Sequence, residues 1–272
     1  MSDGLDIVIV SHNTRDELID CLSSVFAAPP TGLRTVFVVD NASADGSAAA
    51  VRERWPAVDV LALDRNLGFA AANNLALRRA AAPLVLLLNS DTVAPAGAID
   101  TLAARLLETG AVAAGPRLVD ARGRPEISFG RMLSPWTELV QRRRVRLAAR
   151  DTPAARRAVD RLLSQERVVD WVSGACLLVR RTEALAAGLL DERYFMYEED
   201  VDFCAALRAR GGRILFTPRA GIVHLRGRSI GRAAPSGAAS HYDRSHVAFY
   251  AKHAPRWAPL LRLWLALRGR KR

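Results

Sequence analysis

The sequence predicts an α/β protein built on a mostly parallel sheet. Short apolar runs alternate with amphipathic stretches through the first half, and each run ends in a cluster of polar residues. The first run is LDIVIV (5–10), and an amphipathic stretch from Arg15 to Phe26 follows as a helix. TVFVVD (35–40) is the second strand, with a helix from about Gly46 to Arg54. VDVLAL (58–63) precedes an alanine-rich helix from about Gly68 to Arg79, and PLVLLLNSD closes the series at Asp91. In open α/β sheets ligands bind beyond the carboxyl ends of strands. The polar residues there are Ser11, His12 and Asn13; Asp40 and Asn41; Asp64, Arg65 and Asn66; and Asn89, Ser90 and Asp91.

Beyond Arg117 the periodicity weakens, and the arginine-rich segment 141–167 reads as an exposed, mobile insertion rather than a separate domain. WVSGACLLV (171–179) reads as one strand with a short helix after it. A helix carrying Val201, Cys204, Ala205 and Leu207 on one face follows MYEED and stops at Gly211 and Gly212. RILF and GIVHL read as two short strands, and no internal repeat is visible. In the tail, Trp257, Leu260, Leu261, Trp264 and Leu265 recur at helical spacing among Arg256, Arg262, Arg268, Arg270, Lys271 and Arg272. That pattern suits either a helix lying on anionic lipid or a terminal helix packed on the core.

With 272 residues, 50% hydrophobic and 25% charged, the chain can bury a sizeable core, which excludes a disordered or collagen-like protein. The formal charge of +11 is carried almost wholly by arginine, since Lys252 and Lys271 are the only lysines. Guanidinium groups grip phosphates with a planar fork, so a nucleotide, a nucleic acid or an anionic membrane surface suits the charge. Cys21, Cys176 and Cys204 are far apart among apolar neighbours, which argues against a disulfide framework or zinc knuckle. The opening MSDGLDIVIV lacks the basic region of a secretory signal, and no apolar run reaches the roughly 18 residues of a spanning helix. A cytoplasmic protein, at most peripheral at the inner face of the plasma membrane, is the expectation.

Three constellations can carry chemistry. Asp40 ends a strand before NASADGS, where its carboxylate can accept from a pyrimidine imide or a ribose hydroxyl, or can simply cap the next helix. Absence of GxGxxG argues against a dehydrogenase-type dinucleotide fold. Asn89 and Asp91, two residues apart at a strand end, present oxygens suited to Mg²⁺ or Mn²⁺ on a diphosphate; an Asx turn is the alternative. Glu198, Glu199, Asp200 and Asp202 crowd one helix start, and their repulsion raises at least one pKa, as a general base requires; a solvated acidic turn explains them equally. His224 in GIVHL is a metal ligand or a satisfied core histidine.

The ordered series VIVSHN, VVDNASADGS, RNLGFAAANN, LLLNSDT, WVSGACLLVRR, FMYEEDVDFCAALR and GIVHLRGRS resembles the family-2 inverting glycosyltransferases of the GT-A fold. Within that family it is most similar to the bacterial rhamnosyltransferase and galactofuranosyltransferase branch of cell-wall and surface polysaccharide synthesis. The resemblance spans Leu5 to Ser229. It implies a Rossmann-like GT-A domain over residues 1–254, with helices on both faces of the sheet and a basic tail over 255–272. It also implies site roles: Asp40 on the nucleotide base, Ser11 and Asn13 near the nucleotide, Asn66 near the sugar diphosphate. Asn89, Ser90 and Asp91 take the DxD position, with Asp91 and His224 on a divalent metal, Asp200 as base and Glu199 shaping the acceptor site. Asn89 departs from the family's first acid, which weakens the metal site. The implied partners are a dTDP-rhamnose-like or UDP-sugar donor and a saccharide or lipid-linked acceptor, with a membrane surface met through the tail. A nucleic-acid-binding protein and a sugar-nucleotide-binding protein without transfer activity are the competing readings. No helix-turn-helix, zinc or RNP-like motif supports the former, so no nucleic-acid partner is expected.

Overall fold

A computed structural model describes residues 4–150, 152–225 and 235–269. Its central sheet contains β1 (Leu5–Ser11), β2 (Leu33–Asp40), β3 (Asp59–Ala62), β4 (Leu84–Asn89), β5 (Thr92–Val93), β6 (Ala113–Val119), β11 (Cys176–Arg180) and β12 (Ile214–His224). The spatial order is β3-β2-β1-β4-β11-β6-β12-β5. β1 lies parallel to β2 and β4, β2 to β3, and β6 to β12. β11 runs antiparallel between β4 and β6, so the sheet is mixed α/β but mostly parallel. β7 (Pro125–Glu126) pairs with β6 and β9 (Arg167–Val169) with β12, while β8 (Phe129–Gly130) and β10 (Trp171–Val172) form a separate ribbon.

The pleat sorts alternate residues to opposite faces. Leu5, Ile7 and Ile9 of β1 pack with α1 (Arg15–Ala27), α2 (Ser47–Arg54) and α4 (Ala98–Thr109) through Leu18, Leu22, Val51, Ile99, Leu102 and Leu106. On the other face Val8, Val39, Val85 and Leu87 meet α3 (Phe69–Arg79), α6 (Pro153–Leu163) and α8 (Glu199–Ala209). Helices therefore cover both faces, and β1, β2 and β4 read as near-continuous apolar runs because both sides are buried. Asp6 is buried within this core, where its carboxylate accepts from the backbone N–H groups of Thr35, Ala81 and Ala82.

Three expectations change in the structure. The run 171–179 is two strands, because the chain turns at Ser173–Ala175 to bring the Gly174 N–H onto Asp200. RILF and GIVHL are one strand, β12, with an irregularity between Thr217 and Gly221 where its register to β6 shifts. The segment 141–167 is helical rather than a mobile insertion. α5 (Pro135–Ala148), capped by Ser134 and Thr137, buries none of its residues, in keeping with exposure. α6 seats Ala155, Val159 and Leu163 in the protein, and β9 joins the main sheet. The short helix after β11 is α7 (Arg181–Ala186). Two C-terminal helices, α9 (Pro235–His253) and α10 (Ala258–Gly269), complete the described chain and dock through Phe249, Tyr250 and Ala258 against Tyr194 and Val201. Residues 226–229 of the GIVHLRGRS motif and 270–272 of the tail lie outside the described residues.

Candidate active site

The carboxyl ends of β2, β1 and β4 lie side by side, since Ser11 is in register with Asp40 and Val10 with Asn89. Loops there are stitched by side chains. Buried Ser11 bonds the Thr14 hydroxyl at 2.9 Å, and Thr14 bonds Ser90 at 2.9 Å, a chain linking the ends of β1 and β4. Asn13, at φ 54°, accepts from the Ala44 N–H and donates its own N–H to Ser43. Asp40 accepts from the Ser43 N–H at 3.0 Å, the turn bond open to it in the sequence. Asn66 accepts from Asn41 and from the Gly68 N–H, shaping the loop before α3.

Asn89, Asp91, Glu199, Asp200 and His224 line one cleft of about 550 Å³, with Phe69, Trp171, Tyr197 and Tyr242 among its walls. Ser11, Asn13, Asp40, Asn66 and Ser90 are not among its lining residues; they form the loops at the adjoining strand ends. On one side of the cleft, His224 Nε2 lies 3.3 Å from Asp91 Oδ1 and its Nδ1 3.0 Å from Glu126 Oε2. Burial pulls the imidazole pKa down, but hydrogen bonds to Asp91 and Glu126 outweigh it and push it up to about 9. A divalent cation at this wall would displace the Nε2 proton and take over the balance of the acids. The amide oxygen of Asn89, buried beside them, has no hydrogen-bond partner among the described residues.

The opposite element is the start of α8. Tyr197 and Glu198 both adopt left-handed backbone, at φ 71° and 68°, strain of the kind held at functional sites. That turn aims Glu199 and Asp200 into the cleft. Asp200 accepts from the Gly174 and Val201 N–H groups, each at 2.8 Å, whereas Glu199 Oε2 is buried without a partner among the described residues. Desolvation raises both carboxyls, Glu199 further because the Asp200 charge adds to it. The backbone donors offset part of that rise at Asp200, which leaves Asp200 the more acidic carboxyl of the pair.

Three contributors to the site were missed in the sequence. Glu126 orients His224 from β7, a strand too short to announce itself. Thr14 completes the hydroxyl chain from the N-cap of α1. His246 of α9 donates to Glu198 at 2.8 Å and lies 3.3 Å from Glu138, which also accepts from the Tyr250 hydroxyl and from Arg142. His246 and its acids stand far apart in sequence, and only docking of α9 and α5 brings them together.

Among the described residues, no group of three or more His, Cys, Asp or Glu side chains would hold a metal ion unaided. A carboxylate, an imidazole and an orphaned amide oxygen on one wall nonetheless form a donor set that suits a divalent cation completed by oxygens of a bound ligand.

The sequence profile described as "Glycosyl transferase family 2" matches residues 6–164. The chain belongs to glycosyl transferase family 2. It is 33% identical, over 99% of its length and 92% of the relative's, to N-acetylglucosaminyl-diphospho-decaprenol L-rhamnosyltransferase of Mycobacterium tuberculosis. It is thus a glycosyltransferase, as the ordered motifs implied. The fold resembles GalNAc-T7 solved with UDP, GalNAc and Mn²⁺, at TM-score 0.67 and 16% identity, over 91% of this chain and 47% of that one. It also resembles a Pyrobaculum calidifontis mannosyltransferase in complex with GDP-Man and Mn²⁺, at TM-score 0.62 and 18% identity, over 95% and 68%. These similarities establish the GT-A fold of the glycosyltransferase.

Proposed function

We propose that this glycosyltransferase moves a sugar, with inversion, from a dTDP-rhamnose-like or UDP-sugar donor to a hydroxyl of a saccharide or lipid-linked acceptor in cell-wall or surface polysaccharide synthesis. The observation that carries this reading is the placement of the Glu199–Asp200 pair in the cleft that also holds Asn89, Asp91 and His224. The name of the mycobacterial relative supports rhamnosyl transfer to a lipid-linked saccharide.

Asp40, Ser11 and Asn13 form the nucleotide end of the donor site, with Asn66, Asn89 and Ser90 toward the sugar diphosphate. Asp200 removes the acceptor hydroxyl proton as that oxygen bonds to the anomeric carbon from the face opposite the nucleotide. The bond from that carbon to the diphosphate breaks, and the nucleoside diphosphate leaves with the electron pair. Glu199, the more readily protonated of the pair, shapes the acceptor side and leaves Asp200 to take the proton. Asp91 and His224 would hold a divalent cation, Mg²⁺ or Mn²⁺, whose charge would favour departure of the diphosphate.

No helix among the described residues is long and apolar enough to cross a membrane. The peripheral part of the reading rests on α10, where Leu263 and Leu267 are exposed beside Arg262. A donor panel of dTDP-rhamnose, UDP-galactofuranose, UDP-glucose, UDP-N-acetylglucosamine and GDP-mannose, scored for nucleotide release with Mg²⁺, Mn²⁺ or EDTA, tests the proposal. Release from one pyrimidine donor, lost in EDTA and in Asp91→Ala, is expected; preference for GDP-mannose, or full activity in Asp91→Ala, would overturn it.

A further inference from the structure

Glu138 and Arg142 of α5 line the active-site cleft and also line a second hollow, of about 370 Å³, between α5 and α10. We propose that this groove seats the isoprenoid chain of a polyprenyl-diphosphate-linked acceptor, with Arg142 at its mouth taking the acceptor's diphosphate. The inference rests on the reading of the acceptor as lipid-linked, and it names where the lipid lies.

An amphipathic terminal helix ordinarily turns its apolar stripe to the core. α10 does this only with Ala258 and Leu261, which pack on the Tyr194–Phe249 cluster. Leu260, Leu263, Trp264 and Leu267, at spacing i, i+3, i+4 and i+7, face outward, and Leu260 is 57% and Trp264 43% exposed. α5 buries none of its residues and sets Pro135 and Leu139 opposite, with Leu139 40% exposed. Apolar surface presented on two facing helices and continuous with a catalytic cleft has the form of a ligand site.

Charge identifies the end of the occupant. The Glu138 carboxylate is engaged by His246 and Tyr250, whereas the Arg142 guanidinium is 47% exposed and lies 5.8 Å from the centre of the Trp264 ring. Its pair with Glu138, at 3.1 Å and partly exposed, is weak enough for a diphosphate to compete. Leu139, Leu260 and Trp264 offer a saccharide few polar partners, but they suit a hydrocarbon chain. An anion joined to such a chain matches both ends, and from the junction a saccharide beyond the diphosphate enters the cleft of Asp200. A bilayer surface, in contrast, would engage the outward Leu263 and Leu267, which do not line the groove.

Calorimetric titration of the full chain, free of membranes, with geranylgeranyl diphosphate against inorganic diphosphate is the test. The prenyl compound should bind about tenfold or more tighter. Leu139→Ser and Leu260→Ser should erase that advantage, Arg142→Gln should weaken both ligands, and Leu263→Ser should retain the advantage. All three leucines are exposed, so the variants keep their fold, checked by thermal midpoint. Equal binding of the two probes, or a loss in Leu263→Ser as large as in Leu260→Ser, would overturn the groove. Transfer to a methyl-diphosphate-linked saccharide, against a polyprenyl one, separates the two claims. Turnover of both without a chain-length preference leaves the transferase standing and removes the groove. A preference that Leu260→Ser abolishes supports both.

Discussion

Asp200 and Glu199 are adjacent in sequence, yet their partners set their acidities apart, since burial raises both carboxyls and Glu199 further. Two backbone N–H groups offset part of the rise at Asp200, and among the described residues Glu199 meets none at its buried Oε2. Behind them His246 anchors Glu198 in the strained turn that aims both. Burial disfavours its charge, but Glu138 and Glu198 outweigh burial and raise its pKa to about 9, above the ordinary 6.5. A folded pKa above the unfolded one contributes stability that is full below the unfolded value and is lost as pH rises through about 9. His246→Gln should therefore cost about 2–4 kcal/mol in denaturant unfolding at pH 6, and the gap from wild type should narrow above pH 9. A gap constant with pH would show that the histidine contributes packing rather than charge. The sequence made the acidic cluster, Asp91 and His224 visible because carboxylates and imidazole at element ends are chemically conspicuous. It concealed His246 and Glu126, whose meaning depends on partners 48 and 98 residues away.

At the scale of elements, α3 and the turn before α8 are joined at one backbone point. Gly68, at φ +84°, lets the Phe69 N–H reach the Phe195 carbonyl at 2.7 Å, and a Cβ there would sit 2.4 Å from that same oxygen. Gly68→Ala should therefore separate α3 from the Phe195–Glu198 segment, cost about 2–4 kcal/mol of stability, and lower turnover more than donor affinity. Unchanged unfolding in urea would refute that coupling. The same closeness explains the error over 171–179. Periodicity follows burial, and Val172, Ala175 and Cys176 are all buried, so the run reads as unbroken although Gly174 turns out of it to meet Asp200. In α6, by contrast, arginines mask an apolar stripe of Ala155, Val159 and Leu163 at i, i+4 and i+8, which was legible in principle.

At the scale of the molecule, the apolar runs marked β1, β2 and β4 because those strands are buried on both faces, and the edge strand β3 by the buried Leu61. The antiparallel insertion of β11 between β4 and β6 carries no local signature, nor does the docking of α9, whose sequence mixes polar and aromatic residues on every side. Arg105, Arg117, Arg124, Arg193 and Arg208 are engaged in ion pairs, whereas the tail joins basic residues to the exposed Leu263 and Leu267. The basic tail is therefore expected to dominate lipid affinity. Deletion after Pro255 should remove sedimentation with phosphatidylglycerol vesicles, and wild-type binding should weaken as salt rises. Undiminished binding of the truncated chain would place lipid contact elsewhere. The central claim, that Asp200 is the base of an inverting transfer, is tested most directly by Asp200→Asn in an acceptor-dependent assay with donor affinity measured in parallel. The account predicts that transfer falls by about 10²–10⁴-fold while donor affinity stays within about threefold. Turnover retained at near wild-type rate, or a product with retained anomeric configuration, would contradict it.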